Sequence, residues 1–108
     1  MSEPIVVFVT AGSMEEAEKL GRALVEERLA ACANLLSPVR SIYRWEGKVE
    51  EAEEVLLVVK STAEAFEALR ARVLELHGYE CPEIVGWPIG MGHGPYLRWI
   101  EESVGRSE

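Results

Sequence analysis

A short β-branched run, two amphipathic stretches that each open on a serine cap, and one long hairpin predict an α+β fold. Their order is β-α-β-β-α-β with a short helix after it. This is the split βαβ, or ferredoxin-like, arrangement: an antiparallel sheet with two helices on one face and an extended hairpin between its second and third strands. The hairpin carries the most information. Residues 41–62, SIYRWEGKVEEAEEVLLVVKST, turn at Glu46-Gly47, where Gly47 can take the positive φ of a two-residue turn. The second arm, Lys48 to Lys60, is about 13 residues at ~3.3 Å each, against a usual 5–6. A single domain of 108 residues has no core that long. The far end must project, and its aromatic and apolar residues need a partner, so the feature points to assembly before it points to chemistry.

The elements follow in order. Ile5 to Thr10 (IVVFVT) reads as a strand buried on both faces, broken by Ala11-Gly12. Ser13 stands three residues before Glu16, a capping-box spacing, and Ala17, Leu20, Leu24 and Val25 then recur on one helical face, so the first helix is expected at 13–28. LAACANLLS, residues 29–37, enters the second strand, and Pro38 argues for a bend or an edge position. The hairpin's second arm begins EEAEE, expected at an edge or in solvent, and ends VLLVV, expected in the centre of the sheet. Ser61 stands three before Glu64, and Phe66, Leu69, Val73 and Leu76 form a stripe, which predicts a second helix at 62–77 with His77 in its last turn and Gly78 at C′. Glu83 to Ile89 reads as the last strand. GMGHG is a loop, and Pro95 suits the first turn of a terminal helix with Tyr96, Trp99 or Ile100, and Val104 facing inward.

Composition narrows the function classes. The net charge of −8 opposes nucleic acid and anionic membrane surfaces, which need clustered Lys and Arg. No apolar run approaches the ~18–20 residues of a membrane span. The first ten residues do not read as a signal peptide, and the cytoplasm is the expected compartment. All 19 acidic residues are Glu, with no Asp or Gln and a single Asn, a pattern of heat-adapted proteins. Cys32 and Cys81 are too few for a disulfide framework and are expected as buried free thiols.

Few constellations carry chemistry. There is no GxGxxG, no P-loop and no GxSxG elbow, and GMGHG lacks the Lys and spacing of a phosphate cradle. Cys81 near His77 invites a thiolate–imidazole reading, but a small apolar residue before Pro82 is the simpler one. Cys32, His77, Cys81 and His93 are the soft and borderline metal ligands, with no CxxC or HxxxH pair among them. The glutamates at 46, 50, 51, 53 and 54 split between two faces by strand alternation. With the turn at Glu46-Gly47, Arg40 falls opposite Glu53 and Tyr43 opposite Glu50, so cross-strand pairing accounts for part of the charge. Tyr43 and Trp45 share a face and suit an interface first and a pocket between subunits second.

The segments VTAG, LVEERLAACANLL, SIYRWEGKVE, EVLLVVKST and HGYECPEIV together resemble the CutA proteins, named for divalent-cation tolerance, over nearly the whole chain. The resemblance implies one domain over residues 1–108, a compact cytoplasmic homotrimer with hairpins pairing across subunits, no enzymatic activity, and a link to copper or another divalent cation. In some members copper is ascribed to a Cys in the first strand and a His-His pair after the second helix. Here those positions read Val9 and Leu76-His77, so His77 alone carries over, and Cys32 matches a cysteine of the AAC segment. Trp45, Lys60, Tyr79 and Glu83 are the candidates for lining clefts between subunits. The trimer's resemblance to PII signalling proteins gives the alternative, a sensor binding an anionic metabolite at those clefts, with Lys60 and Arg44 as its anion partners.

Overall fold

Strand β1 (Pro4–Ala11) lies between two neighbours and alternates buried residues along its length. In the computed structural model, which describes residues 2–105, the other elements are α1 (Met14–Glu26), β2 (Cys32–Trp45), β3 (Lys48–Thr62), a 3-10 turn (Ala63–Ala65) leading into α2 (Phe66–Leu76), β4 (Ile84–Pro88) and α3 (Gly94–Ser103). The sheet order is β2-β3-β1-β4, with every neighbouring pair antiparallel. The expected split βαβ fold is therefore present, with the second helix led in by a 3-10 turn.

The period of two in β1 and β3 decides which face is covered. Val7, Val9 and Ala11 share a face with Val55, Leu57 and Val59, and all six are buried under Ala17, Leu20 and Leu24 of α1 and Leu69 and Val73 of α2. Each large aliphatic side chain fully buried here contributes about 1.5–3 kcal/mol. Gly21 lets α1 settle close to β2: a methyl group there would stand 3.3 Å from the Ala33 methyl. The other face carries α3. Tyr96 Oη lies 3.8 Å from Cys32 Sγ, and Cys32 is paired with Lys60, which alternates with the core-facing Val59 and Ser61. Of the residues expected to face inward on this helix, Ile100 is fully buried, whereas Tyr96 and Trp99 remain 41% exposed.

The hairpin closes through Trp45 and Lys48, leaving Glu46 (φ 51°) and Gly47 (φ 82°) as a two-residue loop of the type I′ kind. β3 is longer than expected, 15 residues, because β1 pairs with it as far as Thr62. β1 covers only Val55 to Thr62, so Lys48 to Glu54 has β2 as its single neighbour in the sheet. Pro38 sits on the edge strand β2 after a cis peptide bond, where the register shifts between Leu36 and Val39. Arg40 does oppose Glu53 and Tyr43 opposes Glu50, but the Arg40 guanidinium pairs diagonally with Glu51 at 2.9 Å.

Helix ends differ from expectation in instructive ways. Ser13 does cap α1, accepting from the Glu16 N–H at 3.1 Å. The Glu16 carboxylate then reaches the Gly12 N–H at 3.1 Å, one residue before the cap. α1 stops at Glu26, before the expected 28, because Arg28 turns left-handed (φ 61°). The Arg28 side chain donates to the carbonyls of Glu102 at 3.1 Å and Gly105 at 3.3 Å, so it serves the end of α3. Ser61 does not cap the second helix. It lies in β3, fully buried, and its hydroxyl donates to the Leu29 carbonyl at 2.7 Å. Thr62 is the cap instead, accepting from the Ala65 N–H at 3.3 Å.

Ser61→Ala removes the donor to the part-buried Leu29 carbonyl, and we expect a loss of about 1 kcal/mol. Thr62→Ala removes an N-cap and costs about 1 kcal/mol. Urea denaturation of both variants checks this assignment, and a neutral Ser61→Ala would refute it.

Candidate functional site

β1 ends at Ala11, opposite Val55 of β3. Beyond that point the hairpin runs on, and the segment after α2 comes up against it. Glu54, the next residue of β3, accepts a hydrogen bond from the Tyr79 hydroxyl at 2.7 Å. Between the two lies a groove of about 730 Å³, lined by Thr10, by Ser41, Ile42, Tyr43 and Trp45 of β2, by Glu54, and by Tyr79 to Glu83. Strand alternation puts Tyr43 and Trp45 on one face, and the register places Glu54 on that same face, opposite Val39.

His77 fixes the lower wall. Its backbone N–H closes α2 by donating to the Val73 carbonyl at 2.8 Å, and its own backbone then turns extended (ψ 144°), which ends the helix. The ring is fully buried. Nδ1 accepts the Tyr79 N–H at 3.0 Å, so Nε2 carries the proton and donates it to the Thr10 carbonyl at 2.6 Å. The imidazole thus links the end of β1 to the segment after α2. Glu16 supports it from α1, accepting the Gly78 N–H at 2.7 Å with a carboxylate oxygen 3.7 Å from Nδ1. The rings of His77 and Tyr79 stack at a tilt, with centroids 4.7 Å apart.

Of the expected cleft residues, Trp45, Tyr79 and Glu83 line this groove. Lys60 does not: it lies farther along β3, where its ammonium donates to Asn34 Oδ1 at 2.7 Å. The two metal candidates are not brought together. Cys32 is level with Lys60 and Val6, whereas His77 bonds to Thr10, four residues or ~13 Å away along β1. Cys32 sits beside the Tyr96 hydroxyl, whose pKa burial and that thiol contact raise. With both ring nitrogens occupied, His77 as placed offers no lone pair to a metal ion. Among the described residues no three His, Cys, Asp or Glu side chains converge to hold one. The residues present therefore do not fit a copper chelate within one chain. Cys81, expected to be buried, is exposed and lines the groove.

Sequence reasoning missed Glu54 and Glu16 as structural partners of this site. Glu54 lay inside a run of glutamates with no local mark to separate it from its neighbours. Glu16 did carry a signal, its capping spacing, but not the direction in which its second oxygen would reach.

The family model described as CutA1 divalent ion tolerance protein matches residues 5–103. The chain belongs to the CutA1 family. The Divalent-cation tolerance protein CutA of Thermus thermophilus is 51% identical over 100 residues, covering 93% of this chain and 97% of that protein. Protein CutA of Mus musculus is 43% identical over 95 residues, 88% of this chain, and the chain spans 54% of that relative's length. The solved structure of the divalent cation tolerance protein (Cut A1) from Thermus thermophilus superposes with a TM-score of 0.93 at 50% identity, covering 94% of this chain and 99% of that one. Among the described residues of this CutA1 chain, no helix is long and apolar enough to cross a membrane.

Burial, and then the hydrogen bond to Glu54, raise the Tyr79 phenol well above its ordinary 10.0. In the unfolded chain it ionises at that ordinary value, so the stability it contributes is complete below pH 10 and is lost as pH rises further. Denaturation midpoints measured from about pH 9 to about pH 12 should fall with pH in the wild type and fall less steeply in Tyr79→Phe.

Proposed function

We propose that this CutA1 chain acts in divalent-cation tolerance, without catalysis, as a cytoplasmic homotrimer. The family match over residues 5–103 carries the first part of this reading. Copper, or another divalent cation, is the ion it responds to, and the contact is weak and exposed, since one chain builds no chelate among its described residues.

Assembly is supported by the surface left uncovered. Leu36, Val85 and Trp87, on the face away from α1 and α2, are 46–47% exposed, and Ile42 and Val49 near the hairpin tip are 64% exposed. An apolar surface of this kind marks a contact between proteins. β2 and β4 are the two edges of the sheet and differ in length and sequence, so pairing between them would be head-to-tail, the kind of contact that builds a ring when its rotation closes.

The alternative, an anionic metabolite at the clefts, meets an electrostatic obstacle. Lys60 is engaged with Asn34, and the groove presents Glu54, Glu80 and Glu83 with no lysine or arginine in its lining.

Sedimentation equilibrium should give three times the 12.0 kDa protomer mass for the wild type and a shift toward smaller species for Trp45→Ala. A monomeric wild type at micromolar concentration overturns the assembly reading. Calorimetric titration with Cu²⁺ should show weak binding that is equal in wild type and His77→Ala. Tight binding abolished in His77→Ala would restore the imidazole as a ligand.

A further inference from the structure

The turn between α1 and β2 breaks a local preference. Arg28 closes α1 in a Schellman arrangement: its N–H donates to the Val25 carbonyl at 3.1 Å, and the Leu29 N–H donates to the Leu24 carbonyl at 2.9 Å. The residue at that position takes a left-handed backbone, φ 61° here, which glycine adopts freely and a side chain resists. Arginine holds it instead. A residue standing against its local preference points to a task for its side chain elsewhere.

That task lies at α3, 74 residues on. The guanidinium donates to the carbonyls of Glu102 and Gly105, and the Gly105 N–H returns a bond to the Arg28 carbonyl at 2.9 Å. These three bonds clasp the end of the helix. Little else holds it. α3 is 10 residues long, His93 gives it no side-chain cap, and Ile100 is its one buried residue. α1, by contrast, buries Ala17, Leu20, Gly21 and Leu24. A segment with so few buried contacts opens locally at a lower free energy than the core.

We propose that α3 is a strap that opens as a unit while the core under α1 and α2 stays folded, and that the Arg28 clasp sets how often it opens. Closed, the strap covers the sheet at Cys32, where the Tyr96 hydroxyl sits beside the thiol. The inference goes beyond the divalent-cation reading and does not rest on it.

Hydrogen exchange followed by mass spectrometry on the assembled protein tests this. In the wild type, amides of residues 97–103 should exchange about tenfold or more faster than those of β1. Arg28→Gly suits the left-handed backbone, so α1 still ends correctly and the chain folds. It removes the guanidinium bonds, and α3 should exchange about tenfold faster again, the scale of losing charge-assisted hydrogen bonds. β1 amides exchange through unfolding of the whole domain, where the strain that glycine relieves offsets the lost bonds, and they should change by less than about threefold. That relief does not help α3, because residue 28 keeps its conformation when the strap opens. Equal rates in α3 and β1 of the wild type overturn the proposal. So does equal acceleration of both by Arg28→Gly, or an α3 rate that the variant leaves unmoved, as a neighbouring subunit seated over the helix would give.

Discussion

β3 is 15 residues long and β1 is 8, and this mismatch shapes the rest of the molecule. Where the two overlap, the sheet has a core. Where they do not, Lys48 to Glu54 is held by β2 alone. Two strands without a covering layer bury little, and a lone ribbon is marginal in water. The polar sequence of that stretch fits this position, with glutamates at 50, 51, 53 and 54 and a salt bridge from Arg40 that is too exposed to contribute much. The end of β1 also leaves an open position beside Glu54, and the Tyr79 hydroxyl occupies it. The groove is thus a by-product of strand lengths, with its upper wall made by the overhang and its lower wall by the segment that fills the gap.

That segment is held by two side chains that bond main-chain groups. His77 accepts one N–H and donates to one carbonyl, and Glu16 accepts from Gly12 and Gly78. Among the described residues no buried side-chain nitrogen or oxygen lacks a partner. A network in this condition is rigid, and it is costly to break at any one member. At this helix end, a position that suits positive charge in principle, both ring nitrogens instead bond the backbone.

The elements that could be read directly from the sequence are those whose periodicity is local. The β-branched run Ile5 to Thr10 marks a strand, although it runs on to Ala11 and buries alternate residues rather than both faces, and Glu46-Gly47 marks the turn to the residue. Trp45, Tyr79 and Glu83, named through the family resemblance for clefts between subunits, share one groove within the protomer. What was not legible depends on contacts distant in sequence. Ser61 and Thr62 have equal capping chemistry, and the choice falls to Thr62 because β1 extends far enough to draw Ser61 into the sheet against Leu29. Lys60 points to Asn34 rather than the groove for the same reason, its place in the register. Which atoms the His77 ring meets is set by Thr10, 67 residues earlier, and no spacing near His77 encodes that.

The register shift between Leu36 and Val39 acquires a mechanical meaning from its position. It lies where the backed part of the sheet gives way to the ribbon, and a bulge is where local twist concentrates. From Val39 to Trp45 the ribbon extends for about 20 Å, at ~3.3 Å per residue. A rotation of about ten degrees at the bulge swings the tip through roughly 3–4 Å, about one side-chain contact, without disturbing the helices. A change of angle near Pro38 would therefore re-aim Trp45, an aromatic group far from it.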